Sequence, residues 1–251
     1  MSHTIIWGHR GAGFRDVENS MSSFKKAVEM GVDGIKTEAQ LTIDNEVILN
    51  FLPFIVIKGK KGKKSFIQDS SLEVTKQVRL ENGESIPTLH ELFKVFGDKI
   101  RYNFDIFRAE TGLKIIEVAE EYNLIDKVEI TKPVGYTKSA DSLFKPLRKR
   151  NKEVTLICSL YSDQQISDNN YQHLDHMKEL DVQVINLAHH RFNLEVFYQV
   201  KRAGFKFYLW SVLFKYFMHK YLNLEYKGYT IDGIYTNYPD KLVELRSEIK
   251  V

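Results

Sequence analysis

The chain has 251 residues, 43% hydrophobic, 27% charged and 12% aromatic, a balance that supplies a packed core and excludes disorder over the bulk of the chain. Lys and Arg number 36 against 33 Asp and Glu, a formal charge of +3. Over this length that gives no general field for nucleic acid, so no nucleic-acid partner is expected and any anion binding must be local. The single cysteine, Cys158, excludes a disulfide framework and a cysteine-based metal site within the chain. Its apolar setting, Val154–Cys158, predicts a buried, inert thiol. No window approaches about 18 consecutive apolar residues, and Met1–Trp7 lacks the pattern of a signal peptide, so the expected location is cytoplasmic.

In chain order, short β-type runs alternate with helix-type segments. Thr4–His9 reads as a first strand, and Met21–Met30 as a helix with apolar Phe24, Ala27, Val28 and Met30, ended by Gly31. Gly34–Leu41 reads as a second strand. Asp44-Asn45 then reads as a hairpin turn into a return strand, Val47–Phe51, that a plain barrel does not need. Phe54–Ser85 follows no clean period. It carries Lys58, Lys60, Lys61, Lys63 and Lys64 among Gly59 and Gly62, and reads as an insertion, residues 52–86, over one barrel mouth. Helical spacing resumes over Thr88–Phe96. Strands at Arg101–Phe107, Lys127–Lys132 and Val154–Tyr161 precede helices at Leu113–Tyr122, Ser139–Arg150 and His173–Leu180. The last strands are Val182–His189, Lys206–Leu213 and Gly233–Thr236, with helices at Leu194–Ala203, Phe214–Leu224 and Asp240–Ile249. About eight strand and helix pairs in about 250 residues predict an α/β fold, one TIM (β/α)₈ barrel domain over 1–251 with a small hairpin and loop insertion after the second strand.

Reactive groups in such a barrel gather at the carboxyl ends of its strands. The first strand ends in His9-Arg10-Gly11, with Glu18-Asn19 in the loop beyond. On the second strand Lys36, Glu38 and Gln40 share one face, and on the third Asn103, Asp105 and Phe107 do. Neighbouring strands thus bring Lys36, Glu38 and Asp105 beside His9 and Arg10. The cluster suits a phosphate ester: guanidinium binds phosphate oxygens in pairs, imidazole moves protons near neutral pH, and carboxylates hold a hard cation. A buried ion-pair network that fixes the barrel top is the alternative. Trp210, on the seventh strand, reads as an apolar wall of the substrate pocket, and Gly11 and Gly13 as tight turns near the phosphate position. His189 and His190, at the end of the sixth strand, are secondary candidates for the mouth, with a surface position the commoner outcome. The segment Lys58–Lys64 reads as solvated or as a peripheral contact with lipid head groups, at about 1 kcal/mol per basic residue. Phe214, Tyr216, Phe217, Tyr221 and Tyr226 read as an outer helix face, with an interfacial helix or a homodimer contact as alternatives.

Several of these residues also carry a family resemblance. Gly8-His9-Arg10-Gly11-Ala12, Val17-Glu18-Asn19-Ser20, Gly31-Val32-Asp33-Gly34 and Gln40-Leu41-Thr42-Ile43-Asp44 resemble the opening of glycerophosphodiester phosphodiesterases. Ile86-Pro87-Thr88-Leu89, Trp210-Ser211-Val212 and Ile231–Pro239 extend the resemblance over nearly the whole chain. It implies a TIM barrel that hydrolyses glycerophosphodiesters to an alcohol and glycerol 3-phosphate with a divalent cation, magnesium or calcium. His9 and Arg10 match the family's histidine and phosphate-contacting arginine.

Elsewhere the pattern departs from the family. Lys36 stands where the family has a metal-binding glutamate, Glu38 where it has an aspartate, and Asp105 where it has a glutamate. Phe51 and Leu52 occupy the family's His-Asp pair, and Phe107 the place of its lysine. A protonated lysine has no lone pair to give and repels a divalent ion, so no cofactor is expected here. Its ammonium is expected between Glu38 and Asp105 instead. Two readings follow: a family member with weak or lost hydrolysis whose pocket binds an anionic phosphoester or a partner through Arg10 and Lys36, or a metal-independent phosphodiesterase in which Lys36 replaces the cation and His9 works as acid/base.

Overall fold

The structure is a computed structural model and describes residues 4–56, 64–133 and 140–249. In chain order its elements are β1 (Ile5–His9), α1 (Met21–Glu29), β2 (Gly34–Leu41), β3 (Val47–Leu49), β4 (Phe54–Val56), β5 (Lys64–Phe66), α2 (Leu72–Lys76), α3 (Leu89–Phe96), β6 (Arg101–Ile106), α4 (Ala109–Glu121) and β7 (Val128–Lys132). They continue with α5 (Ala140–Arg150), β8 (Thr155–Leu160), α6 (Gln164–Glu179), β9 (Val184–Ala188), α7 (Leu194–Arg202), β10 (Lys206–Trp210), α8 (Lys215–Leu222), β11 (Glu225–Tyr226), β12 (Tyr229–Thr230), β13 (Gly233–Thr236) and α9 (Pro239–Glu248).

Eight parallel strands run in the order β1, β2, β6, β7, β8, β9, β10, β13, and β13 pairs back onto β1, so the sheet closes into the (β/α)₈ barrel. Helices cover its outer face, and β9 is buried along its whole length as a parallel strand covered on both sides must be. Local signals start and stop the helices. Ser20 caps α1 by accepting from the Ser23 N–H, and Gly31 leaves it at φ 87°. Thr88 and Glu91 form a reciprocal capping box on α3.

The base of the barrel is plugged by Trp7, whose ring stacks on Tyr235 at 5.7 Å and tilts against Tyr208 at 6.4 Å. Gly34 makes room for it, since a Cβ there would lie 2.4 Å from the Trp7 ring. Among these rings the buried Glu129 carboxylate accepts from Arg101 and from the Tyr208 hydroxyl, while the polar side chains that line the cavity gather at the opposite end.

Residues 52–86 contain more regular structure than their sequence period suggests. The β4–β5 hairpin and α2 pack over β3 through a satellite core of Ile48, Ile55, Ile67 and Ile86. Four isoleucines contributed by four separate short segments leave no single periodicity to read. Helix α4 begins at Ala109 and α6 at Gln164, earlier than their apolar spacing indicates, because polar runs open both. The short β11–β12 hairpin also has no sequence signal strong enough to read. Lys58, Lys60, Lys61 and Lys63 lie outside the described residues, while Lys64 is on β5 with its ammonium 4.5 Å from the Phe54 ring. Helix α8 packs on the barrel through buried Met218 and Tyr221 and leaves Phe214 and Tyr216 exposed beside it. Cys158 is buried, and burial pushes its thiol up to about 11, as expected of an inert core cysteine.

Candidate active site

The chain leaves β1 through a sharp turn. Gly8 cannot carry a side chain, because a Cβ would sit 2.4 Å from the Gly11 carbonyl oxygen. Arg10 adopts φ 56°, a left-handed conformation uncommon outside glycine. Its N–H donates to the Lys36 carbonyl at 2.6 Å, and its carbonyl accepts from the Asn19 N–H at 3.1 Å and the Ser23 hydroxyl at 3.2 Å. These contacts aim the guanidinium into the mouth. Nε donates to Glu38 at 3.0 Å and Nη1 to Glu18 at 2.7 Å, while Cζ lies 3.8 Å from the centre of the Phe51 ring.

Glu38 is 2% exposed and is the hub of the cluster. Besides Arg10, it accepts from Asn19 Nδ2 at 3.0 Å and from Lys36 Nζ at 3.2 Å. The register places Glu38 opposite Asp105, and Lys36 Nζ donates to both carboxylates. Burial disfavours every charge here, but Lys36, His9 and Arg10 hold Glu38 down at about 2, and the two carboxylates raise Lys36. Burial raises Asp105, with Glu38 adding to it against the pull of Lys36. Two donors on Lys36 and two on Arg10 are thus engaged, which leaves one Lys36 proton and three Arg10 N–H groups, two of them on Nη2.

His9 is the last residue of β1. Burial and the Lys36 charge push its imidazole down to about 3, so it is neutral at ordinary pH. A relay sets its tautomer. The Glu18 carboxylate only accepts, so Asn237 presents Nδ2 to it at 3.2 Å and turns Oδ1 to His9 Nδ1 at 3.2 Å. Nδ1 then carries the proton. Nε2 keeps a lone pair, 3.9 Å from Glu38 Oε1.

These groups line one end of a cavity of about 450 Å³. Phe51, Leu52, Pro53, Phe107 and Trp210 give it apolar walls, and Trp210 is fixed by donating Nε1 to the Leu160 carbonyl at 3.2 Å. Of the residues the sequence singles out, His9, Arg10, Lys36, Glu38, Asp105 and Trp210 converge here. Glu18 lies just behind, bracing Arg10 and Asn237. His189 and His190 are not among the lining residues. They sit in the turn after β9, where His189 packs on Phe217 at 4.9 Å and His190 on Tyr161 at 5.5 Å.

Sequence reasoning assigned no role to Asn237 or to Thr131, Ser159, Asn186 and Tyr235, which complete the cavity. A signal existed for two of them: Ser159 in TLICSL and Asn186 in VINLA are polar residues at buried positions of largely apolar strands.

The (β/α)₈ barrel thus gathers an imidazole, a guanidinium, an ammonium and two carboxylates at the carboxyl ends of its first strands. The model of the glycerophosphoryl diester phosphodiesterase family matches residues 9–241, and the chain belongs to that family. A glycerophosphodiester phosphodiesterase of Caldanaerobacter subterraneus is 26% identical over 260 residues, covering 96% of this chain and 97% of the relative. Among solved structures, the glycerophosphodiester phosphodiesterase of Thermotoga maritima superposes with a TM-score of 0.76 at 21% identity, covering 98% of this chain and 100% of that one. An Oleispira antarctica phosphodiesterase, solved in complex with the product sn-glycerol 3-phosphate, superposes with a TM-score of 0.78 at 18% identity, covering 97% of each chain.

Proposed function

We propose that this protein binds an anionic phosphoester of the glycerophosphodiester type at the barrel mouth without a divalent cation, and that metal-dependent hydrolysis is weak or lost. The observation that carries this reading is the Lys36 ammonium, which donates to both Glu38 and Asp105. The donor set does not fit a divalent ion: the two carboxylates are already engaged by a cation, and no group of three His, Cys, Asp or Glu side chains suited to a metal occurs among the described residues. At about 4 Å and an effective dielectric near 20, the repulsion between Lys36 and a divalent ion is about 8 kcal/mol. The second position also departs, because Phe51 stacks on Arg10 where the resemblance calls for an acid/base histidine. In this reading the Arg10 Nη2 edge and the third Lys36 proton receive the phosphate oxygens, and Trp210 walls the ester's alcohol. In this reading the protein works in the cytoplasm as one barrel domain over 1–251.

A second reading, metal-independent hydrolysis, is favoured by the free Nε2 lone pair of neutral His9 at the cavity, although a value of about 3 makes it a weak base until a bound anion raises it. Lys36 then stabilises the charge that develops on phosphorus-bound oxygen, His9 takes a proton from the attacking water as its oxygen bonds to phosphorus, and the P–O bond to the alcohol breaks with the departing alkoxide protonated by solvent. The deciding experiment is turnover of glycerophosphocholine with magnesium, with calcium and with a chelator. Negligible turnover in all three supports the first reading. Turnover that survives chelation and vanishes in His9→Ala establishes the second, and turnover that requires the metal overturns both. No helix among the described residues is long and apolar enough to cross a membrane.

A further inference from the structure

The guanidinium of Arg10 is restrained in two independent ways. Within its plane, Nε donates to Glu38 at 3.0 Å and Nη1 to Glu18 at 2.7 Å. Two in-plane hydrogen bonds fix the direction of the fork but only weakly oppose its tilting about the line that joins the two carboxylates. The tilt is fixed by Phe51, whose ring lies against the face of the guanidinium with Cζ 3.8 Å from the ring centre. The other two arginines near a ring, Arg15 by Tyr238 and Arg191 by Tyr161, stand at 5.3 and 5.9 Å. Among the described residues, Arg10 is therefore the arginine in stacking contact.

Phe51 is itself tied to the strand that carries the charged cluster. Its turn begins where β3 leaves β2, and there the Asn50 N–H donates to the backbone carbonyl of Glu38 at 3.0 Å. Asn50 Nδ2 then reaches across Phe51 to the Leu52 carbonyl at 2.6 Å and closes the turn. Glu38 thus serves both restraints: its carboxylate holds Arg10 in the plane, and its backbone anchors the segment whose ring holds Arg10 from the side. The ring lines the cavity and is 48% exposed, so core packing does not account for its position.

We propose that Phe51 is a positioning residue for the anion: it fixes the tilt of the Arg10 guanidinium and keeps water off one face, so that a phosphate meets N–H groups already aimed into the cavity. The inference rests on the phosphoester reading above. Phosphate oxygens approach a guanidinium in its plane, along the N–H directions. The ring occupies the face, so ring and ligand do not compete. Glu18 and Glu38 offset much of the Arg10 charge, which leaves pre-organisation and the exclusion of water to strengthen its hold on an anion. Phenylalanine in place of the histidine that the family resemblance calls for then changes what position 51 does: a group that moves a proton gives way to one that holds a charge in place.

The test is calorimetric titration of the whole protein with inorganic phosphate and with glycerophosphocholine. Phe51→Leu keeps an apolar side chain and loses the ring face. A ring at a partly exposed site favours the stacked cation by about fivefold, and affinity falls with the fraction of molecules that hold the competent pose. Both ligands are therefore expected to bind about fivefold more weakly to Phe51→Leu, whereas Phe51→Tyr restores the face and is expected to stay within about twofold of the wild type. Phenylalanine carrying one, two or three ring fluorines at position 51 drains electron density from the face at nearly constant shape. Phosphate affinity is expected to fall stepwise along that series, which a purely steric role would not produce, and the series also serves if Phe51→Leu fails to fold. Equal affinities of wild type and Phe51→Leu, or indifference to fluorination, overturn the positioning role and leave the phosphoester reading standing. Weakening confined to glycerophosphocholine overturns it too, because the ring would then be touching the alcohol rather than aiming Arg10. Failure of the wild type to bind either ligand overturns both.

Discussion

Lys36→Met removes the buried cation and keeps most of its volume. Glu38 retains Arg10 Nε and Asn19 Nδ2 as donors, whereas Asp105 loses the one hydrogen-bonding side chain it has among the described residues. Breaking a buried pair by removing one partner costs about 3–5 kcal/mol. Asp105 escapes that cost by taking up a proton. At pH 5 this uptake costs about 1.5 kcal/mol, because the unfolded aspartate titrates near 3.9, about one unit lower. The expected loss is therefore about 3–5 kcal/mol at pH 8 and about 1.5 kcal/mol at pH 5. Urea unfolding at both pH values measures it directly, and at pH 8 the melting temperature should fall by roughly 6–20 °C for a chain of this size. The double variant Lys36→Met with Asp105→Asn should recover most of the loss at pH 8. A loss below about 1 kcal/mol at pH 8, or one that does not shrink at pH 5, refutes the placement of a charged ammonium between two buried carboxylates.

Three other outcomes follow from the same site. His9 has a folded-state value depressed to about 3, so its contribution to stability is full above the unfolded value of about 6.5 and is lost as pH falls toward 3; relative to His9→Gln, the wild type should lose about 1–2 kcal/mol between pH 7 and pH 5, and an NMR titration placing His9 near 6.5 would contradict this. The Glu18–Asn237 relay predicts that nitrogen-15 spectra at pH 8 show His9 protonated at Nδ1, and that Asn237→Leu mixes the two tautomers; a wild type protonated at Nε2 defeats the relay. Lys36→Glu combined with Phe51→His should create saturable manganese binding where the unaltered chain is expected to show none, and its failure to do so would mean that these two positions are not what blocks the ion.

The sequence made much of the barrel legible because each strand is short, apolar and bounded by turn residues, a pattern that survives without tertiary information. The charged end of the site was legible for a related reason. Period-two alternation puts Lys36 and Glu38 on one face of β2 and Asp105 on the matching face of β6, and parallel register does the rest. Asn237 was hidden, since its partner lies 228 residues away and the contact exists only when β13 closes on β1. The stacking of Phe51 on Arg10 was equally hidden, because nothing local to a three-residue return strand fixes where the following side chain will lie. The satellite core of the insertion depends on four short segments meeting, so it leaves no period in any one of them.

The closure of β13 on β1 also has a consequence for how the site comes into being. A nascent chain exposes His9 almost at once, yet the amide that fixes its tautomer is added more than two hundred residues later. Contacts of such long sequence separation are slow to form. The geometry that fixes the His9 tautomer therefore exists only once β13 has paired with β1, whereas the Lys36 ion pairs need only β2 and β6.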